Sequence, residues 1–264
     1  MPSLEDPLVV ITDLDGSLLD HHTYSWQPAV PWLEKLKANN IPVVFCSSKT
    51  AAEIVPLQNS LGFPGASFIA ENGALLQLDG ESPGKIMGKD YAAIRAAMLR
   101  LREEKGFKFF GFGDVDEKLV GEWTGLAAQD ALLAQRREAS EAFIWRESDE
   151  RLREFADCLA AAALAVTQGG RFYHVMSAGS SKGAAVRQLL AHYRRRDGRQ
   201  WQSIGLGDGP NDISLLEAVD YAVIIRGYSK TPVNVSPQQR YVYRTKAYGP
   251  EGWSEGMDHF ITSA

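Results

Sequence analysis

The chain has 264 residues, 45% hydrophobic and 23% charged, with a formal net charge of −5. At roughly 100–200 residues per domain, this suits one large domain or a core with a smaller companion, and it excludes a disordered, collagenous or fibrous chain. The acidic balance argues against nucleic acid as a partner, because such binders carry a basic field. The one basic block, Arg194-Arg195-Arg196, closes a helical pattern, where cations suit the C-terminal end of the dipole. Two cysteines far apart, Cys46 and Cys158, point to a reducing, cytoplasmic setting rather than a disulfide framework. The longest strictly apolar run is nine residues, 158–166, well short of the roughly 20 that span a bilayer. No basic segment precedes the first apolar stretch, so neither a membrane partner nor a signal peptide is expected.

Leu8-Val9-Val10-Ile11-Thr12 is an apolar run of strand length, as in a strand buried on both faces. A helical pattern follows over 28–38, with Val30, Leu33 and Leu36 apolar and Pro28 suited to a first turn. A second buried strand is expected over 41–45, with Pro42 near its start, where proline is tolerated. A third covers 67–70. Strand, helix, strand at this spacing predicts a parallel sheet with right-handed crossovers. Residues 80–88 then become rich in Gly and Pro, a turn or linker signal.

The next stretch differs in character. Helices are expected over 90–105, with Tyr91, Ile94, Met98 and Leu101 on one face, and over 148–164, with Leu152, Phe155 and Leu159 on one face. Ser148 can cap the second, and Asp149 and Glu150 favour its positive end. Strands are expected over 107–110, 142–145 and 172–176. This reads as an α+β module, 84–176, inserted into an α/β core formed by 1–83 and 177–264. The α/β pattern resumes with a helix over 181–196, carrying Val186, Leu189, Leu190 and Tyr193, and buried strands over 203–206 and 221–225. The tail from 248 to 264, rich in Gly, aromatic and charged residues, has no readable role.

Four loops carry groups suited to chemistry. Asp13-Leu14-Asp15-Gly16-Ser17 follows the first strand, where ligands bind in open α/β sheets. Its two carboxylates repel and need a cation, a shared proton or solvent; the alternative is simple turn chemistry. Gly207-Asp208-Gly209-Pro210-Asn211-Asp212 follows another strand and adds two carboxylates. Together they would form an oxygen-rich cluster suited to Mg²⁺. Lys182 opens a helix, where a cation is unfavourable unless an anion sits there too; the alternative is a solvated surface lysine. Ser47-Ser48-Lys49-Thr50 can hold phosphate oxygens or merely cap a helix.

In chain order these four segments resemble the motifs of the haloacid dehalogenase superfamily of phosphohydrolases. The inserted module resembles that superfamily's larger, C2-type cap. The resemblance implies a Rossmann-like parallel-sheet core with an inserted α+β cap domain. A narrower resemblance, to the mannosyl-3-phosphoglycerate phosphatase family, is carried by residues 45–50, Ile69-Ala70-Glu71-Asn72-Gly73-Ala74, Gly169-Gly170-Arg171-Phe172-Tyr173-His174 and Gly249-Pro250-Glu251-Gly252-Trp253. Many superfamily members carry Thr-Gly-Arg in the second motif; Ser47-Ser48-Lys49 stands there here, which favours the narrower family.

The resemblance implies that Asp13 attacks phosphorus and that Asp15 protonates the leaving alkoxide, then takes a proton from water. It implies Mg²⁺ held by Asp13, the Asp15 main-chain carbonyl and Asp208, with Asp212 nearby. Lys182 would pair with Asp13 and phosphate, Ser47 would donate to a phosphate oxygen, and Asn211 would orient phosphate or a metal-bound water. Ser48 and Lys49 are further candidates for substrate contact. The cap would select a small phosphorylated sugar-glycerate substrate. Arg171, beside the Gly169-Gly170 turn, is expected to grip its carboxylate, with His174 assisting; the alternatives are a surface arginine and a packed strand histidine. His21 and His22 read as surface or gate residues. A different sugar phosphate, a phosphomutase and a catalytically silent sensor are the competing functions.

Overall fold

A computed structural model describes residues 1–81, 83–169 and 171–261. The elements run β1 (Leu8–Thr12), α1 (Val30–Ala38), β2 (Val43–Cys46), α2 (Ala51–Leu61), β3 (Phe68–Ala70), β4 (Leu75–Gln77) and β5 (Lys85–Ile86). Next come α3 (Tyr91–Lys105), β6 (Phe109–Gly111), α4 (Glu117–Thr124), α5 (Ala128–Ala134), β7 (Ser140–Trp145), α6 (Asp149–Ala160), β8 (Leu164–Gly169) and β9 (Phe172–Ser177). The chain closes with α7 (Lys182–Asp197), β10 (Gln202–Gly207), α8 (Ile213–Leu216), β11 (Tyr221–Arg226), β12 (Tyr241–Tyr248) and α9 (Gly249–Phe260).

One sheet has the order β12-β11-β10-β1-β2-β3-β4-β5. Its six strands from β12 to β3 are parallel, and β4 and β5 extend it antiparallel. β1 lies at its centre and is buried along its whole length, because alternate residues serve opposite faces. Leu8 and Val10 join α1, α2 and α9 in one core layer; Val9 and Ile11 join α7 and α8 in the other. Both faces are covered, so the central strands read as continuous apolar runs. The α/β class and parallel core therefore stand as expected.

The inserted segment forms its own antiparallel sheet, β6-β7-β9-β8. Phe143 and Val175 pack with α3 and α6 on one side. Ala142, beside Phe143, and Phe172, three positions before Val175, lie on the other with the α4–α5 pair. By the same alternation His174 stands between Tyr173 and Val175 and points away from the α3–α6 layer. β8 packs against the Pro210–Asp212 turn of the larger sheet.

Several expectations need correction. The helix expected over 148–164 stops at Ala160; Ala163 takes φ 54°, and Leu164 begins a strand. A run of alanines favours a helix locally, but pairing with β9 decides the matter. The linker over 80–88 contains β5, a short edge strand, and of its residues Ser82 lies outside the described set. α4 and α5 and the strands β4 and β12 had no counterpart in the sequence reading.

The unreadable tail, as far as it is described, is α9. Trp253 is wholly buried, and its indole N–H donates to Thr12 Oγ1 at 3.0 Å. That hydroxyl in turn donates to the Asp13 carbonyl at 2.6 Å. The last helix thus buttresses the end of the first strand. Trp253→Ala is expected to cost about 3–5 kcal/mol, as for large aromatic truncations in a core. Urea unfolding, followed by circular dichroism, measures it.

Candidate active site

β1 ends at Thr12, and Asp13 continues it by donating its amide N–H to the Leu206 carbonyl on β10, at 2.9 Å. This pairing brings the loop after β1 against the loop after β10. A tight turn follows, in which Gly16 (φ 84°) lies so close to Asp208 that a Cβ there would meet the carboxylate at 2.6 Å. Only glycine fits both the backbone angle and the approach. Ser17 Oγ then lies 3.2 Å from Asp208 Oδ1 and 3.5 Å from Asp13 Oδ2, so it links the two loops.

Lys182 is the first residue of α7, with Ser181 capping the helix. Its side chain is buried, and the ammonium donates to Asp13 Oδ1 and to Asp212 Oδ1, each at 2.7 Å. Burial pushes its pKa down, but the two carboxylates outweigh burial and raise it above its ordinary value. The unfavourable cation at a helix start is thereby explained: its partners are protein carboxylates. Asp212 Oδ2 also accepts the Asp208 and Gly209 amides at 3.0 and 2.9 Å. Both oxygens of Asp212 are engaged, and it holds the loop in shape.

Asp13, Asp208 and Asp212 have carboxylate oxygens within 4.8 Å of one another. Burial first, then the charge of Asp212, lifts Asp13 to about 7. Burial and the charge of Asp13 lift Asp208 to about 8. Three carboxylates against one ammonium leave a formal −2 in a buried place. That donor set fits a hard divalent cation such as Mg²⁺, which takes carboxylate oxygens. Asp13 and Asp208 carry the oxygens left to meet it.

Asp15 turns away from this cluster. Its Oδ2 pairs with Lys49 at 3.0 Å, and its buried Oδ1 has no partner among the described residues. The Lys49 ammonium is raised above its ordinary value, because Asp15 and Glu53 outweigh burial. Ser47 is buried, and its hydroxyl accepts the Lys49 amide at 3.2 Å. Thr50 does the helix capping: it and Glu53 form a capping box at the start of α2. Ser48 meets the inserted module through its carbonyl, which accepts from Arg137 Nη2 at 3.1 Å.

The candidates on the inserted module divide. His174 is buried, 3.4 Å from Arg137 Nη2 through Nδ1. Burial first and the Arg137 charge second push its pKa down to about 3, so the ring is neutral. Arg171 is exposed, and its guanidinium is engaged with the Thr124 carbonyl at 2.6 Å, at the end of α4. The Gly169-Gly170 turn is described only as far as Gly169. His21 and His22 are exposed and cluster with Tyr228, as surface residues do.

Three residues had no role in the sequence reading. Glu71 is fully buried and accepts the Glu138 and Ala139 amides at 2.7 and 3.2 Å and the Ser140 hydroxyl at 2.6 Å. Arg137 Nε lies 3.8 Å from Glu71 and 3.1 Å from Ser140 Oγ. Asn72 Oδ1 accepts from Asn211 Nδ2 at 3.3 Å. Glu71 and Asn72 take φ 51° and 57°, a left-handed pair unusual for non-glycine residues. The Glu71-Asn72-Gly73 sequence was the available signal, since Asn and Gly favour that region.

A family model for haloacid dehalogenase-like hydrolases matches residues 10–112 and 130–232. Among solved structures, a Thermoplasma acidophilum protein aligns with TM-score 0.68 at 15% identity, covering 97% of this chain and 98% of that one. A haloacid dehalogenase subclass IIB sugar phosphatase aligns with TM-score 0.66 at 17% identity over 96% and 98%. A haloacid dehalogenase-superfamily phosphatase from Bacteroides thetaiotaomicron gives TM-score 0.66 at 20% identity over 97% and 96%. These likenesses bear on the fold. No helix among the described residues is long and apolar enough to cross a membrane.

The raised carboxylates give a pH test. An acid whose folded pKa exceeds its unfolded value contributes stability that is present below about pH 4 and lost as pH rises through the folded pKa. Here that loss runs to about pH 7 for Asp13 and 8 for Asp208. A divalent cation relieves it only where the carboxylates are ionised. Thermal melts with Mg²⁺ and with EDTA are expected to differ little at pH 5 and progressively more up to pH 8, with the difference reduced in Asp208→Asn. An equal Mg²⁺ effect at both ends of the range would contradict the assignment.

Proposed function

The chain belongs to the haloacid dehalogenase-like hydrolase family, and we propose that it is a Mg²⁺-dependent phosphomonoesterase that converts mannosyl-3-phosphoglycerate to mannosylglycerate and phosphate. The observation that carries the phosphatase reading is the pair Asp13 Oδ1–Lys182 Nζ at 2.7 Å, beside Asp208 and Ser17 at the C-terminal edge of a parallel sheet. This supports reading Asp13 as a carboxylate nucleophile, Lys182 as its neutralising cation and the neighbouring carboxylates as a divalent-cation site within one small space. The phosphorylated-sugar class is supported by the sugar phosphatase among the structural relatives. The narrower substrate is supported by the Ser47-Ser48-Lys49 motif and the Glu71-Asn72-Gly73-Ala74 turn.

In this reading an Asp13 oxygen bonds to phosphorus as the bond from phosphorus to the leaving alkoxide breaks. Asp15 gives its proton to that alkoxide. Water then attacks phosphorus, Asp15 takes its proton, and the bond between Asp13 and phosphorus breaks to release phosphate. Lys49 steadies Asp15 through Oδ2, leaving Oδ1 for proton exchange. Lys182 holds Asp13 in place and offsets charge on the transferring group, and Ser47 donates to a phosphate oxygen. When bound, Mg²⁺ supplies the positive charge that offsets repulsion between Asp13 and a phosphate dianion; Asp13, Asp208 and the Asp15 main-chain carbonyl would hold it. Residues 84–176 act as the cap over a core of 1–83 and 177–264, and the two free cysteines suit a reducing cytoplasm.

The test is phosphate release from mannosyl-3-phosphoglycerate, compared with glucosyl-3-phosphoglycerate and simple sugar phosphates, with and without Mg²⁺. Release from the first, dependent on Mg²⁺ and lost in Asp13→Asn, is expected. Ser47→Ala should lower the rate by about 10²–10³, the usual effect of removing one preorganised donor. Release confined to another sugar phosphate would move the substrate, and a rearranged sugar phosphate with little free phosphate would mark a mutase.

A further inference from the structure

Asn72 is 4% exposed. Because its Oδ1 accepts from Asn211, the orientation of its amide is set, and Nδ2 points elsewhere. That Nδ2 is shielded from solvent and has no partner among the described residues. A buried unpaired donor costs about 1–3 kcal/mol and calls for an explanation. Gly169, at the end of β8, locates where the group faces. A Cβ built there would lie 3.6 Å from Asn72 Nδ2 and 3.3 Å from His174 Nε2. Both nitrogens border one small space between the larger sheet and the inserted one.

The proton on His174 follows from its neighbour. The guanidinium of Arg137 can only donate, so the imidazole Nδ1 facing it at 3.4 Å accepts. A neutral ring then carries its hydrogen on Nε2. Two N–H donors therefore meet the same space, and the oxygen of Asn72 is already taken. The demand is for a group that only accepts. The cationic Arg137 behind the ring strengthens the Nε2 donor and favours an anion. The phosphoryl group belongs beside Asp13 and Lys182, whereas this space is reached through Asn211, the residue just before Asp212.

We infer that Asn72 and His174 form a subsite for a carboxylate on the leaving group of the substrate, a role the sequence had suggested for Arg171. The inference rests on the phosphomonoesterase reading and specifies what its alcohol half must carry. Gly169 is then required as the wall of the subsite, where a side chain would occupy the space of the carboxylate.

The experiment compares kcat/KM for a glycosyl-phosphoglycerate, the same ester with its carboxylate converted to a carboxamide, and p-nitrophenyl phosphate. The native enzyme should prefer the carboxylate over the carboxamide by roughly tenfold to a hundredfold, the worth of one or two hydrogen bonds to a charged group. Asn72→Asp keeps the acceptor for Asn211 but replaces the free donor with a negative charge; His174→Phe keeps a ring without nitrogen. Each should reduce the preference about tenfold, chiefly through KM. A preference that survives both variants, or equal losses on all three esters, would overturn the subsite and return the two residues to phosphate binding or folding. No hydrolysis of any ester by the native enzyme would instead overturn the parent reading, and the subsite with it. A second measurement needs no variant: in protein labelled with ¹⁵N-histidine, His174 is expected to be neutral at pH 7 with its proton on Nε2. A proton on Nδ1 would refute the donor assignment.

Discussion

The arrangement of the site depends on one buried ammonium. Lys182 joins carboxylates from loops almost 200 residues apart in the chain, Asp13 after β1 and Asp212 after β10. An isolated charge in such a place would be prohibitive, and removing one partner of a buried pair is strongly destabilising. The pair is therefore a geometric constraint as much as an attraction: the strand ends must meet for the lysine to be buried at all. The parallel pairing of β1 with β10 makes that meeting possible, and Ser17 completes it by bridging Asp13 and Asp208. What the pairing leaves is a local excess of negative charge, which is the physical reason this place suits a divalent cation.

Much of the core was legible because its signals are local. β1, β2 and β10 are buried on both faces and so appear as apolar runs, and the candidate loops follow them directly. Helices α3 and α7 announce themselves by caps, Asp90 and Ser181, and by apolar spacing. The failures have equally definite causes. α4 and α5 have only eight and seven residues, too few for a clear period, although Asp116 caps α4. β8 was absorbed into a helix because its alanine-rich approach has high helical propensity, while its pairing with β9 is invisible locally. The importance of α9 lies in one contact, Trp253 to Thr12, across 241 positions.

The candidate site divides along the same line. The segments that carry Asp13, Ser47 and Asp208 could be placed from strand ends, and the one that carries Lys182 from a helix start. The residues between the two sheets could not. Arg171 and Arg137 are indistinguishable by residue type, yet one lies exposed between β8 and β9, reaching the end of α4, and the other is buried between Glu71, Ser48 and His174. Glu71 gathers the amides of Glu138 and Ala139, so the inserted module is fastened to the core by the residue adjoining Asn72. Side-chain partners brought together by tertiary docking leave no periodic trace in a sequence.

The left-handed backbone at Glu71 and Asn72 bears on how this protein could change over evolutionary time. A residue forced to φ 57° can be exchanged cheaply only for Gly or Asp, since most side chains resist that conformation. Its neighbour is bound to the inserted module and is equally hard to replace. The facing wall is no freer, since a Cβ at Gly169 of β8 would come within 3.3 Å of His174 Nε2, and His174 itself is buried on β9. Change at this junction would therefore have to come from both sheets together rather than from one side at a time.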